Sequence, residues 1–421
     1  MLRPAPRIAT AALAAASLLA TAAAAEAPAS APWLAPAVTY DGTALANLHG
    51  GAQRGGVYVG NLHLKANLNG EPLGLAGTSA FVDLLDIHGG RPSRRVGDAQ
   101  GTSNIEGPAG AEIEELWVQH NTAGNRFSVL GGIYDLNSEF DRLQSAALFL
   151  NSAFGVGPEF AQSGVEGPSI FPRTAFGLRL AAKPDPNVVV RGALLNGVPV
   201  ARPDGSHALA RGGDGTLSVL ELALLSRPHD AFDPLALSRA RVGRFSGLVP
   251  DDHKIAIGTW RYGGRHADLS ELDAAGLPVL RRGSSGGYLI MERRVLDGDA
   301  TVGEPRATAF LQAGVADPRT NRFSAHLGAG IVASGWRALK QSDQFGLSIT
   351  RVREGSHDAR ARALASGATP ARAETTLEAS YLSQVGKSVT VQPDLQYVIH
   401  PDADAARANA WAAQLRFEVS Y

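Results

Sequence analysis

The chain closes on Ala413-Gln414-Leu415-Arg416-Phe417-Glu418-Val419-Ser420-Tyr421, in which every second residue is apolar and every residue between is polar. Val389–His400 repeats the pattern, with Val389, Val391, Leu395, Tyr397 and Ile399 on one face and Thr390, Gln392, Asp394, Gln396 and His400 on the other. Leu62, Leu64, Ala66 and Leu68 likewise oppose Asn61, His63, Lys65, Asn67 and Asn69. Side chains alternate across a β-strand, so each segment has one apolar and one strongly polar face. A soluble β-sandwich would alternate too, with its apolar face buried. These segments instead run about 9–12 residues, the length a tilted membrane-crossing strand requires. The chain also has no separate set of longer apolar runs to build a conventional core. The pattern points to a closed barrel with lipid outside and water inside.

Counting outward gives sixteen segments, at 38–49, 57–69, 75–87, 111–120, 125–135, 174–182, 187–196, 216–226, 254–262, 286–295, 306–315, 323–333, 343–353, 374–383, 388–400 and 411–421. A weaker seventeenth, Arg239–Gly247, is rejected because it breaks the alternation of short periplasmic turns with long external loops. Without it, Asn69–Gly74, Asn121–Gly124, Lys183–Pro186 and Gln384–Lys387 fall inside as turns. The stretches 88–110, 136–173, 197–215, 263–285 and 354–373 fall outside as loops, and only the inside connection 227–253 is too long for a turn. The expected fold class is therefore all-β: a 16-stranded antiparallel transmembrane barrel with a long inserted constriction loop. Sixteen strands leave an aqueous channel.

Composition narrows the rest. Of 421 residues, 39 are Lys or Arg and 40 Asp or Glu, for a formal charge of −1 with both signs mixed, so no nucleic-acid partner is expected. There is no cysteine, which excludes disulfides, thiolate metal sites and cysteine nucleophiles. Arg3 and Arg7 precede an apolar stretch from Ile8 to Ala25 that ends in small residues, the form of a secretory signal peptide over 1–25. A membrane anchor is the plainer alternative, but Ala drives insertion only weakly. Residues 26–37 then form an N-terminal segment and 38–421 the barrel.

The longest external connection has the most specific wording. It reads Tyr134-Asp-Leu-Asn-Ser-Glu-Phe-Asp141, then Ala147-Leu-Phe-Leu-Asn-Ser-Ala-Phe-Gly-Val-Gly-Pro-Glu159, then Gly167-Pro-Ser-Ile-Phe-Pro172. These phrases resemble those of the carbohydrate-selective porins of Gram-negative outer membranes, the OprB type. Val391-Gln-Pro-Asp-Leu-Gln-Tyr397 with His400-Pro401 resembles the family's penultimate strand, and the resemblance runs from about Gly50 to Tyr421. It implies a sixteen-stranded outer-membrane barrel, usually a homotrimer in the outer-membrane lipid, that admits glucose and other small sugars passively and needs no cofactor. Two features depart from that pattern. Aromatics are only 6% of residues, lean for two aromatic girdles, and loop 354–373 is mostly Ala, Arg and Gly.

Candidate solute contacts follow from the inward face. In Asp135-x-Asn137-x-Glu139-x-Asp141 every second residue offers oxygen, so a continued strand would aim all four into the lumen as sugar acceptors, with Arg142, Arg173 and Arg179 as donors. An ordinary hydrophilic wall reads the same way. A calcium loop would need a turn Gly and a twelfth-position Glu, which are missing, so no metal is expected. Glu115, Trp117 and Gln119 share an inward face, where Trp117 either stacks on a pyranose or packs beneath the inserted loop. Glu159, in a Gly-rich apolar turn, either borders the constriction or pins the loop to a wall Arg. Adjacent acids such as Glu114-Glu115 and Asp251-Asp252 should point to opposite faces and so make no catalytic pair.

No Gly-x-Ser-x-Gly elbow or His-Glu-x-x-His occurs, and the Gly-rich run at 328–335 lies within a strand, so no enzyme is expected. The alternatives are a general diffusion porin on the same scaffold and a secreted carbohydrate-binding β protein.

Overall fold

A computed structural model describes residues 32–199, 215–226, 253–298, 304–335, 340, 342–366 and 371–421. The expected signal peptide 1–25, most of loop 197–215, nearly all of connection 227–253 with the rejected strand 239–247, and Asp251-Asp252 lie outside the described residues.

Sixteen strands form one closed sheet. The first eight are β1 (Leu34–His49), β2 (Gly55–Asn69), β3 (Thr78–Gly89), β4 (Gly110–Asn121), β5 (Phe127–Tyr134), β6 (Ala175–Asp185), β7 (Val188–Asn196) and β8 (Thr216–Leu225). Then come β9 (Lys254–Leu272), β10 (Pro278–Asp297), β11 (Arg306–Ala316), β12 (Phe323–Ser334), β13 (Gln344–Glu354), β14 (Ala373–Val385), β15 (Val389–Ile399) and β16 (Ala410–Ser420). Each pairs antiparallel with the next, and β1 closes on β16 from Thr39↔Ser420 to His49↔Trp411. Closure leaves no edge with unpaired backbone groups, as a barrel in hydrocarbon requires.

The expected faces hold. Leu116, Val118, Leu178, Leu180, Leu395 and Leu415 are exposed to the outside, whereas Gln119, Arg179, Asp394, Gln396, Gln414 and Arg416 are buried within. Outward aromatics stand near strand ends, where bilayer meets water: Tyr58, Phe176 and Trp411 at the loop end, Phe127 and Phe345 at the turn end. Tyr397 packs on Trp411 with ring centroids 4.5 Å apart. Few aromatics suffice because they are concentrated at those levels.

Three departures from expectation bear on the site and its surroundings. β1 opens at Leu34, so it takes in the end of the segment 26–37. The expected loop 263–285 is instead mostly strand: β9 and β10 run on past the membrane and turn at Asp273, whose carboxylate accepts the amides of Ala275 and Leu277. The alternation was hidden because register shifts, one of them at Gly283 (φ 74°), break the period of two. Finally, a bulge in β4 leaves Glu115 opposite Asp83 and Glu114 unpaired, and both glutamates are buried. The rule that neighbours face opposite ways fails there.

Two external loops do not stay outside. The connection 90–109 contains α1 (Pro92–Val96), and 135–174 contains three single 3₁₀ turns and α2 (Pro158–Ala161). The main apolar cluster lies between the longer loop and the inner wall, joining Phe140, Phe149, Phe154 and Phe160 to Trp117, Trp260, Tyr288 and Phe310. A third connection forms α3 (Ser356–Ser366). It ties the β9–β10 hairpin to the β15–β16 loop through His357 Nδ1 to Asp268 at 2.7 Å and Arg362 to Asp402 at 3.4 Å.

Candidate constriction site

β5 ends at Tyr134, so the alternation does not run through 135–141 and the expected row of four acceptors does not form. Asp135 instead caps a 3₁₀ turn over Leu136–Ser138, accepting the Asn137 amide at 2.8 Å. Its own N–H donates to Glu115 Oε1 at 2.9 Å. Asp141 stands at φ 48° and takes the amide of Gly157 at 3.0 Å and the Gln312 side chain at 3.1 Å. Asn137 donates to the carbonyls of Phe140 and Asp141, each at 3.3 Å. These residues hold the loop to itself and to the wall.

Glu139 and Arg179 form a buried ion pair, with side chains 2% and 0% exposed. Arg179 is 0% exposed and donates to Glu139 (2.8 Å), Ser128 (2.7 Å) and Gln119 (2.6 Å). Tyr134 Oη donates to the same carboxylate at 2.5 Å, and Arg191 lies 3.8 Å from its other oxygen. Burial opposes the charge on Glu139, but the two guanidiniums hold its carboxyl below the usual range.

Trp117 is 5% exposed and packs on Phe81 with centroids 5.5 Å apart, next to Gly132 (φ 144°), where a Cβ would strike the Leu116 carbonyl and the Trp117 backbone. Glu159 meets no Arg among the described residues. Its carboxylate accepts no hydrogen bond among the described residues, and the buried His326 imidazole lies 3.7 Å away. It sits against Gly157 and Gly314, where any side chain would displace it. Burial, and then the charge of Asp141, pushes Glu159 up to about 8. Burial also raises Asp141 to about 7. Arg173 is the open member of the set, 3.6 Å from the exposed Glu166.

Sequence reasoning missed what holds the loops in place: inward carboxylates and amides on the far wall, each receiving loop backbone. Glu221 accepts Asp141 N (3.0 Å), Glu292 accepts Ser145 N (2.6 Å) and Glu378 accepts Leu150 N (2.5 Å). Gln392 donates to Leu148 O at 2.5 Å. For the shorter loop, Glu374 accepts Ala99 N (2.8 Å) and Gln100 N (3.0 Å), while Arg416 reaches Ser103 (2.9 Å) and Asn104 (2.5 Å). The two loops also pair with each other, Ser152 N to Gly101 O at 2.7 Å and Asn104 N to Leu150 O at 2.8 Å. The available signal was a Glu or Gln at inward positions of several strands, but any porin wall shows that.

Where the loop leaves β5, opposite charges confront each other. His63 lies 3.1 Å from Asp83 and 3.3 Å from Glu114, and Lys65 is 3.7 Å from Asp83. Asp135 feels the charges of Glu114, Arg142 and Asp83, and burial first and Glu114 second push it up to about 7. Across from it are Arg142 and Lys254, the lysine donating to the Arg142 carbonyl at 2.7 Å. Burial holds Arg142 below its ordinary range against the pull of Asp135 and Glu292. Asp135 and Arg142 are part-exposed, so an acceptor and a donor meet at this level of the lumen.

The comparisons agree with this geometry. No relative is detected among curated protein sequences. In structure the chain is similar to the high-pH form of Pseudomonas putida OprB, with a TM-score of 0.77 at 19% identity over 92% of this chain and 94% of that one. It also resembles the outer-membrane channel DcaP of Acinetobacter baumannii (0.50, 9% identity, 92% and 97%) and an anion-selective porin from Comamonas acidovorans (0.50, 11% identity, 92% and 99%). Residues 53–421 match the sequence profile of the carbohydrate-selective porin, OprB family. A closed sixteen-stranded barrel, two loops folded into its lumen and a match over nearly the whole chain lead to one conclusion: the protein belongs to the OprB family and is a carbohydrate-selective porin of the outer membrane.

Proposed function

We propose that small sugars, glucose among them, cross this channel by passive diffusion past the level of Asp135 and Arg142, with no cofactor and no catalytic step. The supporting observation is the contrast in exposure among inward polar groups. Glu115, Trp117, Glu139, Asp141, Glu159 and Arg179 are buried and engaged in packing or loop anchoring, whereas Asp135, Asn137, Arg142 and Arg173 keep part of their surface open. A sugar that sheds water needs both donors and acceptors, because an unpaired polar group costs about 1–3 kcal/mol. Weak, distributed contacts then let it leave. In this reading Asp135 with Arg142 is the central donor–acceptor pair, Arg173 serves the external mouth, and the buried six hold the loop that shapes the path. Export by the N-terminal segment and assembly as a homotrimer in the outer-membrane lipid complete the proposal.

The test is single-channel conductance of the refolded protein in a planar bilayer with glucose titrated in. Stepwise openings that glucose blocks saturably are expected, with block weakened in Asp135→Asn and Arg142→Gln. Openings that no sugar blocks would make the chain a general diffusion pore.

A further inference from the structure

The outer wall carries a charge cluster that the channel does not use. Arg261 and Arg265 on β9 and Arg282 on β10 are all exposed on the outward side. Arg282 stands directly opposite Arg265 in the ladder, and Ser285 opposite Arg261. Like charges facing each other on one sheet face repel. Among the described residues no carboxylate pairs with any of the three. Such an arrangement suits an anion standing between the guanidiniums.

The level of the cluster says which surroundings supply it. Tyr262, beside Arg261, is in register with Leu217 near the start of β8, and Gly286 with Ala316 at the end of β11. Both neighbouring strands therefore leave the sheet here, at the external rim. Below it the outward face is apolar, with Ile257 60%, Leu220 54% and Leu289 36% exposed. Arg261 also lines a groove of about 430 Å³ walled by Leu178, Leu180, Leu194, Leu220 and Thr259. The groove is open because Gly192 has no side chain to fill it. Apolar cleft below, three guanidiniums above: this is the outline of a phosphorylated amphiphile standing in the outer leaflet.

We propose that this face binds a phosphorylated, multiply acylated glycolipid of the lipid A class, one acyl chain lying in the groove and a phosphate held by Arg265, Arg282 and Arg261. Guanidinium forks match phosphate oxygens, and neutralising the facing pair relieves its repulsion. The site lies outside the lumen, so it does not depend on how sugars are selected.

Native mass spectrometry of the full refolded chain in detergent tests it, using purified bisphosphorylated lipid A, its dephosphorylated form and phosphatidylglycerol as probes. Bisphosphorylated lipid A should be retained, with the dephosphorylated form and the Arg261→Gln/Arg265→Gln/Arg282→Gln variant each roughly tenfold weaker. Arg282→Gln alone should fall between, while all variants keep wild-type conductance and so prove folded. Equal retention of both lipid A forms, undiminished binding by the triple variant, or equal retention of phosphatidylglycerol would overturn the proposal. So would disulfide-linked dimers of Leu194→Cys in the native membrane, because a second copy of the chain would then cover the groove. The chain's lack of cysteine makes that single thiol an unambiguous reporter.

Discussion

Arg179 shows how far a residue's role depends on its neighbours. Read along the strand it is an inward donor available to a sugar, yet its three donor groups are occupied by Glu139, Ser128 and Gln119. Removing one partner of a buried ion pair costs about 3–5 kcal/mol, because the other charge stays buried without compensation. Arg179→Met should therefore lower the temperature at which the folded form converts to the unfolded band on a gel. Arg179→Met/Glu139→Gln should recover part of the loss. Glu159 behaves oppositely, since its carboxyl is raised from 4.5 to about 8 and its protonated form is the one the fold prefers. Its contribution is complete below about pH 4.5 and is lost as pH rises through about 8. Asp141 adds to the same trend from 3.8 to about 7, and His326 is the remaining titratable group against Glu159. Heat-modification midpoints should fall as pH climbs through that window. Glu159→Gln should flatten the upper part of the fall and be the more stable protein at pH 9; a profile identical to wild type would remove Glu159 as its source.

At the scale of elements, the strands were legible and the loops were not. A strand's face is written locally, each residue reporting its side by whether lipid or water suits it, so even the weakly aromatic girdles did not obscure β15 and β16. The β9–β10 hairpin was misread because Gly283 shifts the phase and because strand beyond the bilayer has no lipid side to mark. Loop 135–174 had its own wording, but not its anchors, since Leu150 meets Glu378 across 228 residues of sequence. Those anchors yield an element-scale prediction. Glu292→Ala with Glu378→Ala removes the wall acceptors for Ser145, Leu150 and Asn151. At about 1.5–3 kcal/mol for each charge-assisted bond, the loop should loosen while the barrel remains. Single-channel conductance should rise and sugar block weaken, and trypsin should cut at Arg142. Unchanged conductance together with an intact loop would show that aromatic docking, such as Phe160 stacked on Trp260 at 4.8 Å, holds it alone.

For the whole molecule, the proposed passage of sugars past Asp135 and Arg142 carries a consequence for ions. Asp135 lies in the fields of Glu114, Arg142 and Asp83, and Lys254 in those of Glu221, Arg191, Glu292 and Arg142, so both signs stand at this level. Asp135→Ala should shift the reversal potential in a salt gradient toward anions and weaken glucose block. Arg142→Ala should shift it toward cations with a similar loss of block. If both variants left block and reversal potential alone, the sugar path would lie elsewhere in the lumen.

What the sequence determined by itself was the barrel: strand number, the face of most strand residues outside the β9–β10 extension, and through its loop phrases the family. The strands and their faces follow from contacts with solvent or lipid, which are local and periodic. What only the tertiary structure decided was the division of labour among the inward polar residues. A carboxylate on a porin wall is written the same way whether it meets a sugar or the backbone of a loop. The loop's path back into the lumen made Asp141 and Arg179 structural and left Asp135 and Arg142 open. That path is set by contacts between residues far apart in the chain.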